Sequence, residues 1–242
     1  MISVIIPTYN EEKNIENCLK ALSNQTLPRN KYEIIVVDGG SKDRTVKIAR
    51  KYADKVILQK SEGVGGARND GVKLAKYDLI ATTDADCIAP RDWLERIVIN
   101  FENKDIVCVY GQQKPLENTF KNKISLKLSN IFIFFAYFFN IYLTVGANMA
   151  FRKKPFLSVG GYKSYSAGDD FELPLRLKKK GKIKHDPKMK ILFSMRRYDE
   201  DGILKTLMNW ILNIINEKYN LNLNIKKYNK KCYKYWNLKL EN

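Results

Sequence analysis

Tyr77-Asp78-Leu79-Ile80-Ala81-Thr82-Thr83-Asp84-Ala85-Asp86 is the most informative segment of the chain. Residues 77–81 form an apolar run that reads as a buried strand, with strand bounds 78–83, and acidic residues follow at once. Side chains at i and i+2 of an extended chain point the same way. The spacing therefore predicts that Asp84 and Asp86 present two carboxylates side by side at a strand end. Such a pair is a poor choice for a core, where each charge loses its water. It suits a hard divalent cation held by oxygen ligands, and such a cation can stabilise a departing diphosphate.

Outward from this stretch, strands and helices alternate. Residues 3–6, 33–37 and 55–58 read as strands before it, and residues 105–110 as a fifth strand after it. Asn10 is placed to cap a helix in which Ile15, Cys18, Leu19 and Leu22 follow helical spacing. Ser41 is placed to cap a second helix through Tyr52. Gly63-Val64-Gly65-Gly66 turns into a third, ending near Lys76, and residues 91–103 form a fourth. Strands separated by helices predict parallel βαβ units, with helices on both faces of a sheet. Ligands of such sheets lie at the carboxyl ends of the strands. Residues 7–11, 38–43, 61–68 and 84–86 are the segments found there.

A chain of 242 residues with 45% apolar and 29% charged content can bury one large core. Cys18, Cys87, Cys108 and Cys232 are scattered, which argues against a disulfide framework or a zinc site and suits a reducing cytoplasm. Met1-Ile2-Ser3-Val4-Ile5-Ile6-Pro7 lacks the basic start and long apolar stretch of a signal peptide and reads as a first strand. The net charge of +17 is uneven: residues 1–110 carry 17 basic and 16 acidic side chains, residues 111–242 carry 26 and 10. A basic half suits nucleic acid, a membrane surface or a phosphorylated substrate; a bias toward Lys in the composition is the plainer reading.

The second half has another character. Residues 131–143 are nearly all apolar and rich in Phe and Tyr, but too short and too interrupted by Asn140 to cross a bilayer. They are expected to form a buried core helix; the competing reading is a surface dipping into a membrane interface. Residues 203–215 carry an amphipathic pattern, and beyond Lys218 the chain becomes Lys- and Asn-rich with Tyr228, Tyr233, Tyr235 and Trp236.

Seven segments in order over residues 2–173 complete the picture. They are Val4-Ile5-Ile6-Pro7-Thr8-Tyr9-Asn10-Glu11, Val36-Val37-Asp38-Gly39-Gly40-Ser41-Lys42-Asp43, Gly66-Ala67-Arg68-Asn69-Asp70-Gly71 and Thr83-Asp84-Ala85-Asp86, then Gly146-Ala147-Asn148-Met149-Ala150-Phe151-Arg152, Gly160-Gly161-Tyr162 and Gly168-Asp169-Asp170-Phe171-Glu172-Leu173. Together they resemble the family 2 glycosyltransferases of GT-A fold. The resemblance implies an α/β, Rossmann-like and mostly parallel central sheet flanked by helices, with a C-terminal helical extension. Residues 1–110 would be the donor-binding half, residues 111–200 the acceptor and catalytic-base half of the same domain, and residues 201–242 a basic, aromatic extension.

The resemblance also implies roles. Pro7, Tyr9 and Glu11 would line the base and ribose of a nucleotide, and Asp38 would accept a hydrogen bond from the base. Arg68 would complement phosphate or orient Asp38. Asp84 would face the ribose and share a metal site, and Asp86 would bind the cation, Mg2+ or Mn2+. Asp170 would be the base of an inverting transfer from a nucleotide-sugar donor, UDP-linked, to an acceptor hydroxyl or lipid phosphate. The implied setting is cell-envelope polysaccharide or glycolipid synthesis with saccharide or lipid-linked acceptors and no nucleic-acid partner; the scattered cysteines suit a cytoplasmic protein, and the basic, aromatic second half suits peripheral contact with the inner face of the cell membrane.

The chain departs from the pattern in two places. Processive members carry Gln-x-x-Arg-Trp, where this chain has Ser194-Met195-Arg196-Arg197-Tyr198. Many relatives carry a His a few residues after the equivalent of Pro187, where this chain has Phe193 and Ser194. His185 precedes that Pro and is expected at a surface or strand end. Two other classes stay open. One is a nucleotidyltransferase of similar fold, marked by pyrophosphate release. The other is a basic nucleic-acid-binding protein, whose acidic strand ends would repel phosphate.

Overall fold

The computed structural model describes residues 1–117, 119–163, 169–195 and 212, with the backbone alone at residues 169–171. In chain order the elements are β1 (Ile2–Thr8), α1 (Ile15–Ser23), β2 (Tyr32–Asp38), α2 (Thr45–Ala49), β3 (Lys55–Leu58), α3 (Gly63–Leu74) and β4 (Leu79–Thr82). The second part adds β5 (Cys87–Ile88), α4 (Trp93–Asn100), β6 (Ile106–Pro115), α5 (Phe120–Phe138), β7 (Met149–Arg152), α6 (Lys153–Ser158), α7 (Asp169–Leu177) and β8 (Lys182–Phe193).

Among the described residues the strands form one sheet in the order β3-β2-β1-β4-β7-β6-β8-β5. β3, β2, β1 and β4 are mutually parallel, as the βαβ reading predicts. β7 then runs antiparallel to both β4 and β6. The expected fifth strand, within β6, thus points the same way as β4 but is separated from it by β7. β6 pairs in parallel with β8, and the short β5 closes the edge antiparallel to β8. β6 crosses residue 110, so the two sequence halves share a single sheet.

Alternation along the parallel strands divides the core. Ile2, Val4, Ile6, Ile34 and Val36 face α1 and α4, where they meet Ile15, Leu19, Leu22, Trp93 and Ile97. Ile5, Ile35, Val37 and Ile80 face the other way, with Val72, Phe151, Phe156 and Tyr162. Side chains buried on both faces explain why these strands read as continuous apolar runs.

Four sequence expectations need correction. Asn10 does not cap α1: it has φ +51 and lies before a turn at residues 12–14, and the helix starts at Ile15. Ser41 does not cap α2, which starts only at Thr45, because the Ser41 hydroxyl is engaged with Asp38 and Asn10. His185 is not at a surface or strand end. It is 6% exposed within β8, its ring 5.0 Å from that of Tyr110 and 6.0 Å from those of Phe134 and Tyr137. Burial lowers its pKa, and Asp186 opposes that in part.

The fourth correction concerns the aromatic stretch. α5 is 19 residues long, and only one side of it is core. Asn122, Leu126, Ile133 and Ala136 are buried, whereas Leu128, Phe132, Phe135 and Phe138 are 62%, 62%, 58% and 63% exposed. The helix is apolar nearly all round in its second half, so no period in its residues tells the buried side from the open one. No helix among the described residues is long and apolar enough to cross a membrane.

Candidate functional site

Because β2, β1 and β4 are parallel neighbours, the loops after them emerge along one edge. The first two loops are laced together. Gly39 N–H donates to Thr8 O at 2.8 Å. Asn10 N–H donates to Ser41 Oγ at 2.8 Å, and Lys42 N–H donates back to Asn10 Oδ1 at 2.9 Å. Glu11 N–H donates to Thr45 Oγ1, and Glu12 N–H to Asp43 Oδ2. Burial pushes the Asp43 carboxyl up, but hydrogen bonds from Thr45 and Glu12 more than offset this and hold it below the usual range.

Pro7 is buried within β1, and Tyr9 and Glu11 are half-buried at its end. The Glu11 carboxylate accepts from Asn14 Nδ2 at 2.6 Å. Asp38 is 4% exposed, and its carboxylate accepts from the N–H groups of Gly40 and Ser41 and from the Ser41 hydroxyl. Gly40 takes φ +93 to close this turn, a conformation glycine adopts without steric cost. Asp38 therefore shapes its loop besides facing the shared edge.

The third loop leaves β4 at Thr83, whose N–H donates to Ile5 O at 3.2 Å. Residues 84–87 then form a turn closed by Cys87 N–H to Asp84 O at 3.1 Å. The extended-chain argument for pairing Asp84 with Asp86 thus fails, since a turn and not a strand carries them. The turn still gathers acids. The buried Cys18 thiol donates to Asp84 O at 3.5 Å. Burial, then the carboxylates of Asp86, Asp84 and Glu11, push that thiol far above the usual range. Cys87 is raised likewise, with its Sγ 3.9 Å from Asp86 Oδ1. Both cysteines are free thiols forming a neutral floor beneath three carboxylates.

Arg68 supplies the opposing charge. It projects from α3 and is 3% exposed, and its Nη2 donates to Asp84 Oδ1 at 2.9 Å. The partner thus seen for its guanidinium is the carboxylate of Asp84. The guanidinium lies 5.5 Å over the Tyr162 ring, a favourable cation–π geometry. Tyr162 is fixed in turn by Asn69, which accepts from Tyr162 N at 2.9 Å and donates to Tyr162 O at 2.7 Å. Gly146 makes room, since a Cβ there would fall 2.4 Å from the Arg68 nitrogens.

Asp70, two residues further along α3, holds the preceding loop. It accepts from Lys60 N, Ser61 N and Ser61 Oγ, each at 2.7 Å. Burial pushes its carboxyl up, but these bonds more than offset it and leave it below the usual range. Gly66 lets α3 start against that loop, because a Cβ would lie 2.7 Å from the Ser61 carbonyl carbon. The glycine run is thus the first turn of α3, not a linker into it.

Sequence reasoning gave no role to Gly146, Asn69, Tyr162 or Asn148. Asn148 is fully buried, accepts from Trp93 Nε1 at 2.8 Å and donates to Gln112 O and Met189 O at 2.8 and 2.9 Å. It ties β6 and β8 to the start of β7. The segments 66–71, 146–152 and 160–162 signalled these positions, but their partners are 36 to 93 residues away. Asp170 stands in the first turn of α7, and its side chain lies outside what the structure describes. Residues 196–211 and 213–242, with Arg196, Arg197 and nearly all of the amphipathic and basic tail segments, also lie outside.

As to a cation, the described residues contain no group of three His, Cys, Asp or Glu side chains arranged to hold one. Asp84 and Asp86 on one turn fit the sparser arrangement in which one or two carboxylates share a cation with substrate phosphates and water. A groove of about 970 Å³ lies elsewhere, between α5 and the strands β6 and β8.

Comparison with known proteins places this geometry. Glycosyltransferase AglE of Haloferax volcanii is 39% identical over 127 residues, covering 50% of this chain and 41% of AglE. The chain spans less than half the length of the curated relatives it matches. Staphylococcus aureus TarS 1–349, solved with UDP-GlcNAc, superposes with a TM-score of 0.65 at 20% identity over 80% of this chain and 58% of that one. The mannosyltransferase PcManGT of Pyrobaculum calidifontis, solved with GDP-Man and Mn2+, gives a TM-score of 0.63 at 24% identity over 79% and 56%. These likenesses establish the GT-A fold. The model of the Glycosyl transferase family 2 matches residues 3–160, a span that takes in each of the three acidic strand ends, and the chain belongs to that family.

Proposed function

We propose that the chain transfers a sugar from a nucleotide-sugar donor, UDP-linked, to an acceptor hydroxyl or lipid phosphate, with inversion. The observation that carries the reading is the ion pair between buried Arg68 of α3 and half-buried Asp84, on the turn that also bears Asp86, beside the laced loops 7–11 and 38–43. Pro7, Tyr9 and Glu11 would bound the base and ribose. Asp38 would accept from a ring N–H of the base, since a carboxylate only accepts. Asp84, oriented by Arg68, would face the ribose, and Asp86 with Asp84 would hold Mg2+ or Mn2+ against the diphosphate.

In the transfer step, the acceptor oxygen forms a bond to the anomeric carbon while the bond from that carbon to the diphosphate oxygen breaks. Asp170 takes the acceptor's proton as its oxygen attacks, which requires an ionised carboxylate within hydrogen-bond reach. A bound divalent cation supplies charge stabilisation to the leaving diphosphate. Arg68, fixed by Asp84 and Tyr162, keeps a positive charge at the same edge without reorganising during reaction.

Calorimetry of UDP and GDP with and without Mn2+, on wild type and Asp86→Ala, tests the donor site. Cation-dependent UDP binding that disappears in Asp86→Ala is expected. Absence of nucleotide binding by folded wild type would overturn the reading, and tighter GDP than UDP binding would reassign the donor base.

A further inference from the structure

We propose that α5 is an in-plane docking helix that seats the second half of the chain on a bilayer rich in anionic lipid. This goes beyond the sugar-transfer reading and does not depend on it. The first observation is a stripe. Phe120, Ile124, Leu128, Phe132, Phe135 and Phe138 recur every three or four residues and are all exposed, so they share one side of the helix. The opposite side, with Leu126, Ile133 and Ala136, is accounted for by the core. A 19-residue helix presents such a stripe along about 28 Å, and Phe is among the residues that enter the boundary between headgroups and acyl chains.

The second observation is charge. α5 contains no Asp or Glu, and Lys121, Lys123 and Lys127 are exposed in its first turns. At its far end Lys178, Lys179 and Lys180 are exposed, with Lys178 Nζ bonded to Asn140 Oδ1 at 2.5 Å and lying 5.1 Å over the Tyr142 ring. Lys114 and Lys190 face Lys123 and Lys127 across the groove beside the helix, whose lining among the described residues includes no carboxylate. Glu117, just before α5, has its carboxylate turned to Ser194 Oγ and Met195 N.

An apolar stripe with lysines at both ends and along one flank matches an anionic lipid surface in both of its components. A second copy of the chain would match the apolar part only. A two-fold contact through α5 sets lysine ends against lysine ends. The chain from Lys218 onward is itself Lys-rich, so that segment too would bring like charge to the helix.

The test is co-sedimentation of the full chain with vesicles of phosphatidylcholine alone and of equal parts phosphatidylcholine and phosphatidylglycerol. Wild type should bind the anionic vesicles and not the neutral ones. Lys121→Gln/Lys123→Gln/Lys127→Gln should weaken that binding by about a hundredfold, and Phe132→Glu/Phe135→Glu should abolish it, with the melting temperature of both unchanged. Equal binding to the two vesicle types, or wild-type binding by the lysine variant, would overturn the proposal. So would a glutamate variant that unfolds or changes oligomeric mass while the lysine variant binds as wild type, since the stripe would then be a protein contact. If the glutamate variant folds poorly, the lysine variant alone decides.

Discussion

The half of the sheet built from β1 to β4 and the half built around α5 place their apolar residues in opposite ways. In the first, Ile2, Val4, Ile5 and Ile6 are all fully buried, the charges nearly balance, and the loops bond to one another as much as to their own strands. In the second, one helix buries a single side, leaves a row of Phe and Leu exposed and adds lysine without acid. Precision at the acidic edge comes from groups held on all sides. Breadth at α5 comes from a surface that, among the described residues, has no side-chain partner on one side. On the proposed readings, the contrast separates a part that holds a small polar ligand in one geometry from a part suited to a large, soft one.

Substitutions in each half test this contrast. The largest effect is expected at the proposed base: Asp170→Asn should lower kcat by roughly 10²–10⁴-fold while calorimetric UDP binding persists. Loss of both together would make Asp170 a structural residue. Ile5→Ala, at a fully buried position against Gly71, should cost about 2–5 kcal/mol in urea unfolding. A cost below about 1 kcal/mol would mean that the first half is looser than its burial implies.

A smaller effect is expected from acid. His185 has its pKa lowered by burial, so the unfolded chain binds its proton more readily than the folded one. Its contribution is therefore fully present above the unfolded value of about 6.5 and is lost as pH falls below it, by at most about 1.4 kcal/mol per pH unit. His185→Phe should remove that slope, measured as the difference from wild type in urea midpoints across pH 5–7, leaving the carboxylate slopes common to both. Identical profiles would mean that the ring is hydrated. The smallest effect is expected at Phe135→Ala, within about 0.5 kcal/mol in lipid-free buffer. A cost near that of Ile5→Ala would show that α5 is covered by protein.

What could be read in advance follows the same division. β1, β2 and β4 were legible because strands buried on both faces leave unbroken apolar runs, and because polar turn residues such as Asn10, Gly39 and Asp84 follow them. The acidic edge was legible as residue types at strand ends. Its internal pairing was not: Arg68 chooses Asp84 because α3 aims it there and because Gly146 and Tyr162, far along the chain, shape the space. β7 was missed as a strand between β4 and β6, since four residues carry little periodicity. The outward side of α5 was illegible for the reason that makes it interesting: both sides are apolar, and only the contacts of Leu126, Ile133 and Ala136 tell them apart.

Asn10 has one more consequence. Its left-handed backbone and its two reciprocal hydrogen bonds to Ser41 and Lys42 join loops whose residues are 31 or 32 positions apart. Amide hydrogens at positions 10 and 42 should therefore exchange with solvent as one cooperative unit, at a common rate, although no strand or helix contains either of them. Glycine at position 10 would keep the backbone conformation and lose the side-chain bond, so it would split that unit into two, each opening on its own schedule.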